Sequence, residues 1–327
     1  MAKKINKPLI LIADRFSQDS FLYLQEKFSV VKSDHPLHLP GEALLNCEAL
    51  IIRSRTAINE QLLQKARKLR VIVTATSGFD HIDFKATQKW GITVMHTPWA
   101  HVESVAQLTW TLIQACNHNL AKQRENILNL QWRQPLYHKE LNGRVLGIVG
   151  LGRIGQRVAQ LARAAAGMRV QAYDPYIQQD IFAGQNILAS SYEDVLYKSD
   201  VISFHVPKTA ETTGLLKQHH FEKMLQKPIV VNTSRGCICS EEDFLWALKH
   251  DVVYGLGLDV FPKEPYPEAK APEHLLQYSN VIATPHIGAM SEEALSKASL
   301  EAAQKISDFF YSGQTSDTLP PKDSWYL

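Results

Sequence analysis

The sequence predicts an α/β protein built of two doubly wound parallel-sheet domains, and three observations predict it. Short apolar runs alternate with segments of helical period along nearly the whole chain, a pattern of parallel strands covered on both faces by helices. At 145–174, VLGIVGLGRIGQRVAQLARAAAGMRVQAYD, one such strand runs into glycines spaced G-x-G-x-x-G, then a helix, then a second strand closed by an acidic residue. A length of 327 residues suggests about two domains, and 45% hydrophobic content is ample for two packed cores.

Taken in order, residues 9–13, 49–52, 71–75 and 92–95 read as strands, with helices at 16–28, 59–69 and 82–90 between them. Pro98 separates this unit from a long helical stretch at 101–130. Its apolar residues, among them Val102, Val105, Leu108, Trp110, Leu112 and Cys116, spread over more than one face, so it is expected to be buried between domains, between subunits, or both. After a loop around 132–137 the strand pattern resumes at 145–149, 170–173, 201–206, 229–232, 255–260 and 281–284. The last helical segment, 291–311, opens with Ser291 as N-cap and with Glu292 and Glu293 in its first turn. No strand is expected after it, and it is expected to cross back onto the first domain. The domains are therefore 1–98 plus 290–327, and 99–289, joined by two connections that make a natural hinge.

Composition excludes several classes. A net charge of +2 argues against a general polyanion binder, and the densest basic run, Lys65, Arg67, Lys68 and Arg70, reads as a solvated helix end. No apolar run approaches the roughly 18 residues of a membrane span, and the lysine-bearing N-terminus leads into a strand too short for a signal peptide. The four cysteines make no disulfide framework, and Cys237 and Cys239 lack zinc spacing. No metal, nucleic acid or membrane is expected, and the cytoplasm is the expected compartment.

The glycine segment carries a specific chemistry. Gly150 allows the tight turn, Gly152 lets the backbone approach a pyrophosphate, and Gly155 lets helix and sheet pack closely. The N-terminus of the new helix favours phosphate charge. Asp174 accepts hydrogen bonds from an adenosine ribose and repels a 2′-phosphate, and Pro175 and Tyr176 follow where a basic residue would mark NADP. NAD is the expected cofactor.

Ligands of such sheets sit beyond the carboxyl ends of the strands. In the first domain those ends carry Asp14, Arg53-Ser54-Arg55-Thr56, Thr76-Ser77-Gly78 and Thr97-Pro98, which suits an anionic ligand. In the second, Arg235, Glu264 and His286 fall at or just after strand ends. A division of labour follows: Arg235 holds a substrate carboxylate or carbonyl, His286 exchanges the hydroxyl proton, and Glu264 orients the imidazole and favours its protonated form.

From Ala49 to about Ser312 the sequence resembles the NAD-dependent D-2-hydroxyacid dehydrogenases. The resemblance is carried by GLGRIG followed by YDPY, HVPKTAETTGLL, VNTSRG, GLDVFPKEP and TPHIGA. It implies a Rossmann NAD-binding domain inserted in a flavodoxin-like substrate domain, and Arg235, Glu264 and His286 as catalytic residues. Cofactor contacts are implied at the glycine turn with Arg153 and Ile154, at Asp174 with Pro175, and at His205, Val206, Pro207 and Thr212. Further contacts are implied at Ser77, Thr233, Ser234, Asp259, His286, Gly288 and Ala289. Arg53, Ser54, Ser77 and Gly78, with Arg235, are the implied substrate contacts, and a homodimer through the helix after Pro98 is implied.

Within the family, Arg53-Ser54-x-Thr56 resembles the substrate-facing loop of D-3-phosphoglycerate dehydrogenases, and the expected substrate is a phosphorylated 2-hydroxy acid, first 3-phosphoglycerate. The stretch from Thr74 to Asp83 is closer to erythronate-4-phosphate dehydrogenases, and hydroxypyruvate or glyoxylate reduction remains open. No regulatory or dimerisation domain is expected beyond the last helix. His101 and Gln107 stand where the family commonly has Asn and Glu. The alternative from another class is an NAD-sensing interaction protein, like the C-terminal-binding-protein corepressors of similar fold.

Overall fold

The strands of the computed structural model, which describes residues 7–132, 137–267 and 273–322, are apolar on both faces. Ala49, Leu50, Ile51 and Ile52 are each at most 1% exposed, and successive residues enter opposite cores, as a pleat with period two requires. The chain divides into two compact units, Met1–His101 with Met290–Leu327 (unit 1) and Val102–Ala289 (unit 2).

In unit 1, β1 (Leu9–Ile12), β2 (Ser29–Lys32), β3 (Ala49–Ile52), β4 (Val71–Thr74) and β5 (Thr93–His96) pair in parallel in the order 2-1-3-4-5. This is the flavodoxin-like order, with its switch point between β1 and β3. Strand β2 escapes sequence reading: it is an edge strand with two apolar residues, neither buried. Helix Gly41–Asn46, a further unexpected element, covers one face through Ala43 and Leu44.

Unit 2 holds a seven-stranded sheet, parallel throughout. Its strands are β6 (Val145–Val149), β7 (Arg169–Tyr173), β8 (Leu188–Ala189), β9 (Val201–Phe204), β10 (Ile229–Asn232), β11 (Gly255–Leu258) and β12 (Val281–Ala283). The order 12-11-10-9-6-7-8 reverses between β6 and β9, the point at which a Rossmann sheet binds its ligand. Two buried clusters, one on each face, form its core.

The helical stretch expected at 101–130 is two helices, Val102–Asn117 and Leu120–Leu128. Asn119 breaks it with φ of 50°, a left-handed conformation that asparagine tolerates, and its side-chain amide donates to Tyr254 Oη at 2.8 Å. Val102–Asn117 buries Ala106, Leu112, Ile113 and Cys116 in a core of unit 2. Residues 133–136 of the expected loop lie outside the described residues.

The final helix, Glu292–Tyr311, belongs to unit 1, capped by Ser291 Oγ accepting from Ala294 N–H. Ser299 Oγ accepts from Ser17 N–H at 3.0 Å, fixing it against the first helix. A last strand, β13 (Thr318–Leu319), follows it and pairs antiparallel with β5, contrary to the expectation that nothing would. Lys305, 6% exposed, holds the returning segment through Asp317 at 2.6 Å and Ser316 at 2.9 Å. Two residues of strand give no readable period; pairing with β5 and the Lys305–Asp317 ion pair beside it hold them.

Candidate active site

The glycine turn closes the carboxyl end of β6 between β7 and β9. Gly150 N–H donates to Tyr173 O at 2.9 Å and His205 N–H to Val149 O at 2.8 Å. Gly150 has φ of +92°, and a Cβ there would lie 2.5 Å from His205 O; one on Gly155 would lie 2.3 Å from Gly150 O. Both positions admit glycine alone. At Gly152 a Cβ would meet nothing within 4 Å. That open side is where a pyrophosphate would rest, at the N-terminus of helix Arg153–Ala166, which Gly152 opens without a side-chain cap. Asp174 accepts from Leu151 N–H at 2.8 Å and from Tyr176 N–H at 3.0 Å, which aims its carboxylate along the turn with lone pairs to spare. These residues fit a dinucleotide with an unphosphorylated ribose. Arg153 and Pro175 are exposed and Ile154 half-buried beside them.

The other expected cofactor contacts shape the same rim. Thr212 Oγ1 donates to Pro207 O at 2.6 Å, pinning the turn after His205 and Val206. Thr233 Oγ1 pairs with Thr109 Oγ1 at 2.8 Å, and Ser234 donates from N and Oγ to Asn232 Oδ1 at 3.0 and 2.8 Å. Burial pushes the His205 imidazole down to about 3, and Ser203 Oγ stands 2.9 Å from its Nε2, so it is neutral at any physiological pH.

Arg235, Glu264 and His286 all lie in unit 2, in loops at the ends of β10, β11 and β12. His286 Nδ1 is 2.8 Å from Glu264 Oε2, and Glu264 Oε1 accepts from Phe261 N–H at 3.1 Å. Asn232 Nδ2 donates to Arg235 O at 2.8 Å, and Arg235 Nη1 to Ser234 O at 2.7 Å. The hydrogen bond donated to Glu264 raises the His286 pKa, with the charges of Glu264 and Asp259 adding, against burial and Arg235. For Glu264, burial is the largest influence and pushes up, yet the hydrogen bonds from His286 and Phe261 with the charges of His286 and Arg235 leave it below its ordinary value. The arrangement holds an imidazole with Nδ1 committed and Nε2 available.

Asp259 has a task that sequence reading missed. It is 1% exposed and accepts from Ile287 N–H at 2.8 Å, Gly288 N–H at 2.9 Å and Thr284 Oγ1 at 2.6 Å, so it clamps the loop bearing His286. His286 itself has φ of 54°. A strained backbone at a residue of this kind persists only where its surroundings impose it. Gly288 is buried and Ala289 half-buried on this loop.

Unit 1 contains Arg53, Ser54, Ser77 and Gly78. Arg55, expected beside Arg53 to suit an anionic ligand, pairs with Asp14 through Nη2 at 2.6 Å and Nε at 3.2 Å. Ser54 is exposed, while Arg53, Ser77 and Gly78 are half-buried. Gln107 donates to Glu103 Oε1 at 2.8 Å, within its own helix. Among the described residues no group of three or more His, Cys, Asp or Glu could hold a metal ion, and no helix is long and apolar enough to cross a membrane.

A parallel sheet with a glycine turn at its switch point, an acidic residue on the next strand and an Arg–Glu–His set on the same rim defines a dinucleotide-dependent oxidoreductase scaffold. The chain belongs to the D-isomer specific 2-hydroxyacid dehydrogenase family: the model of that family's NAD binding domain matches residues 110–288, and NAD is the cofactor this domain holds. The chain is 34% identical over 302 residues to D-3-phosphoglycerate dehydrogenase of Mycobacterium leprae, covering 91% of this chain and 56% of that one. It is 37% identical over 277 residues to hydroxypyruvate reductase of Thermotoga maritima, covering 82% and 88%. D-lactate dehydrogenase of Aquifex aeolicus, solved with NAD and lactic acid, superposes with a TM-score of 0.80 at 29% identity over 92% of this chain and 95% of that one. The chain thus spans about half the length of the phosphoglycerate dehydrogenases it matches.

Proposed function

We propose that the protein is an NAD-dependent D-2-hydroxyacid dehydrogenase, with Arg235, Glu264 and His286 as its catalytic residues. The observation that carries this reading is the 2.8 Å contact of His286 Nδ1 with Glu264 Oε2 on the rim of the dinucleotide domain. NAD, when bound, supplies the two-electron acceptor for the alcohol carbon, and its reduced form the donor for the reverse direction. Arg235 holds the substrate carboxylate by charge-assisted hydrogen bonds. His286 Nε2 takes the hydroxyl proton during oxidation and returns it to the oxygen during reduction. Glu264, accepting from Nδ1, fixes the ring and favours the imidazolium.

The substrate we propose first is 3-phosphohydroxypyruvate, on the strength of the phosphoglycerate dehydrogenase relatives; the Thermotoga relative supports hydroxypyruvate as second. NADH oxidation with 3-phosphohydroxypyruvate, the 2-keto acid of erythronate 4-phosphate, hydroxypyruvate and glyoxylate, ranked by kcat/KM, tests both. Turnover is expected, fastest with a phosphorylated acid. Tight NADH binding with no turnover of any would sink the reading and favour a sensor.

A pH dependence follows from the raised His286 pKa. Reduction needs the imidazolium, so its rate falls as pH rises through that pKa; oxidation needs the neutral ring and falls as pH drops through it. Glu264→Gln removes the main cause of the raised value, so both limbs are expected to move to lower pH. Profiles of kcat/KM in each direction check this, and limbs that stay in place would exclude Glu264 as the partner that sets them.

We also propose a cytoplasmic homodimer built through the helices after Pro98. Leu128, Leu130, Trp132 and Tyr137, close in sequence, are 63%, 92%, 80% and 87% exposed in the single chain, apolar side chains that a second copy would cover. All four cysteines are free, which suits a reducing compartment.

A further inference from the structure

The His286–Glu264 pair is held from two sides, and Asp259 accounts for one of them. On the other, Phe261 N–H donates to Glu264 Oε1 at 3.1 Å, so the place of the carboxylate follows the place of Phe261. Phe261 is 8% exposed. Its backbone lies against the residue after Arg235, for a Cβ on Gly236 would fall 2.0 Å from the Phe261 carbonyl. The same short stretch therefore carries the donor to Glu264 and the backing of Arg235.

Tyr266 fixes that stretch. Its ring stacks on the Phe261 ring with centroids 4.1 Å apart and planes 5° from parallel. Its hydroxyl donates to Glu241 Oε1 at 2.5 Å and accepts from Leu275 N–H at 2.7 Å. Burial, then Glu241, pushes the phenol pKa up, so it keeps the proton it donates. Both partners are anchored. Glu241 opens the helix Glu241–Lys249, whose Phe244, Ala247 and Leu248 lie in a core cluster of unit 2, and Leu275 is 0% exposed in the same cluster. A phenylalanine ring would fill the same space, so packing alone has no use for the hydroxyl. With two fixed partners, the hydroxyl sets the direction of the ring and of what it stacks on. The links run from helix to proton: Glu241, Tyr266, Phe261, Glu264, His286.

We propose that Tyr266, moored by Glu241, is a positioning residue of the active site, which holds Phe261 where Glu264 meets His286 Nδ1. It acts on the reaction through Glu264. That this serves proton exchange with a 2-keto acid rests on the dehydrogenase reading; that Tyr266 holds the pair rests on the contacts themselves.

The charged groups facing His286 are Glu264, Asp259 and Arg235. Moving Glu264 away removes the main pull toward the imidazolium and leaves burial and Arg235 against Asp259, so the ring titrates at lower pH. NMR titration of the imidazoles in the full chain without ligand reads this, the His286 signal among the 13 histidines being assigned by its loss in His286→Gln. Tyr266→Leu is expected to move the His286 midpoint toward that of Glu264→Gln, and Tyr266→Phe and Glu241→Ala to move it part of the way. Tyr266→Leu added to Glu264→Gln is expected to move it no further. Tyr266→Phe keeps the stack and is expected to melt within a few degrees of the wild type, so its result stands even where the larger truncation fails to fold. A midpoint unmoved in Tyr266→Phe and Glu241→Ala, or moved equally with and without the Glu264 carboxylate, would overturn the proposal. In NADH oxidation with 3-phosphohydroxypyruvate and hydroxypyruvate, Tyr266→Leu is expected to lower kcat about tenfold with KM within about threefold, and to cost nothing more on top of Glu264→Gln. Additive losses would make Tyr266 a structural residue only. Turnover with an unmoved His286 midpoint defeats the positioning role and keeps the dehydrogenase reading. A moved midpoint in a protein that turns over neither acid keeps the role and defeats that reading.

Discussion

His286→Ala is expected to lower kcat by about 10²- to 10⁴-fold while changing NADH affinity by no more than a few-fold. The size follows from its place: with Nδ1 bound to Glu264, the ring presents Nε2 as the group that exchanges the substrate proton. Its side chain is 51% exposed, so truncation opens no cavity in either core. Alanine also carries a Cβ, so the left-handed backbone at 286 is no more strained than before. Asp259 continues to hold the loop through Ile287 and Gly288. Single-turnover absorbance at the NADH band, with a fluorescence titration of NADH, separates the chemical step from binding. A kcat within threefold of the wild type would remove His286 from the mechanism.

Gly150→Val is expected to abolish NADH binding and to destabilise unit 2 by about 3 kcal/mol or more, because strain and clash act at the same atom. A β-branched residue resists φ of +92°, and its Cβ would press on the backbone of His205, which pairs with β6 and cannot give way without parting the sheet. Gly152→Ala is the matching control. Its Cβ meets nothing in the chain, so Tm is expected to stay within a few degrees, yet NADH affinity should fall because the methyl occupies the open side of the turn. Calorimetry and NADH titration of the two variants distinguish a turn that holds the fold from a surface that holds the cofactor. Unaltered NADH affinity in Gly152→Ala would show that the pyrophosphate does not rest there.

The sequence by itself determined the class of fold, the dinucleotide turn and the strand ends that bear Arg235, Glu264 and His286. Each of these is a local pattern: strand and helix periods of two and 3.6, and glycine where a Cβ has no room. Short edge strands such as β2 and β13 bury too little to leave a period, and the left-handed Asn119 interrupts an apolar pattern that reads straight through it. The tertiary structure alone decided how alike residues divide their work. Arg53 and Arg55 look equivalent in sequence, yet Arg55 binds Asp14, 41 residues away, while an Nη of Arg53 is buried without a partner. In sequence Asp259 is implied only as a cofactor contact in the strand expected at 255–260, and only the return of β12 beside β11 brings the His286 loop onto its carboxylate. Burial and pairing depend on which strand ends the topology sets side by side, and a local pattern holds no record of that.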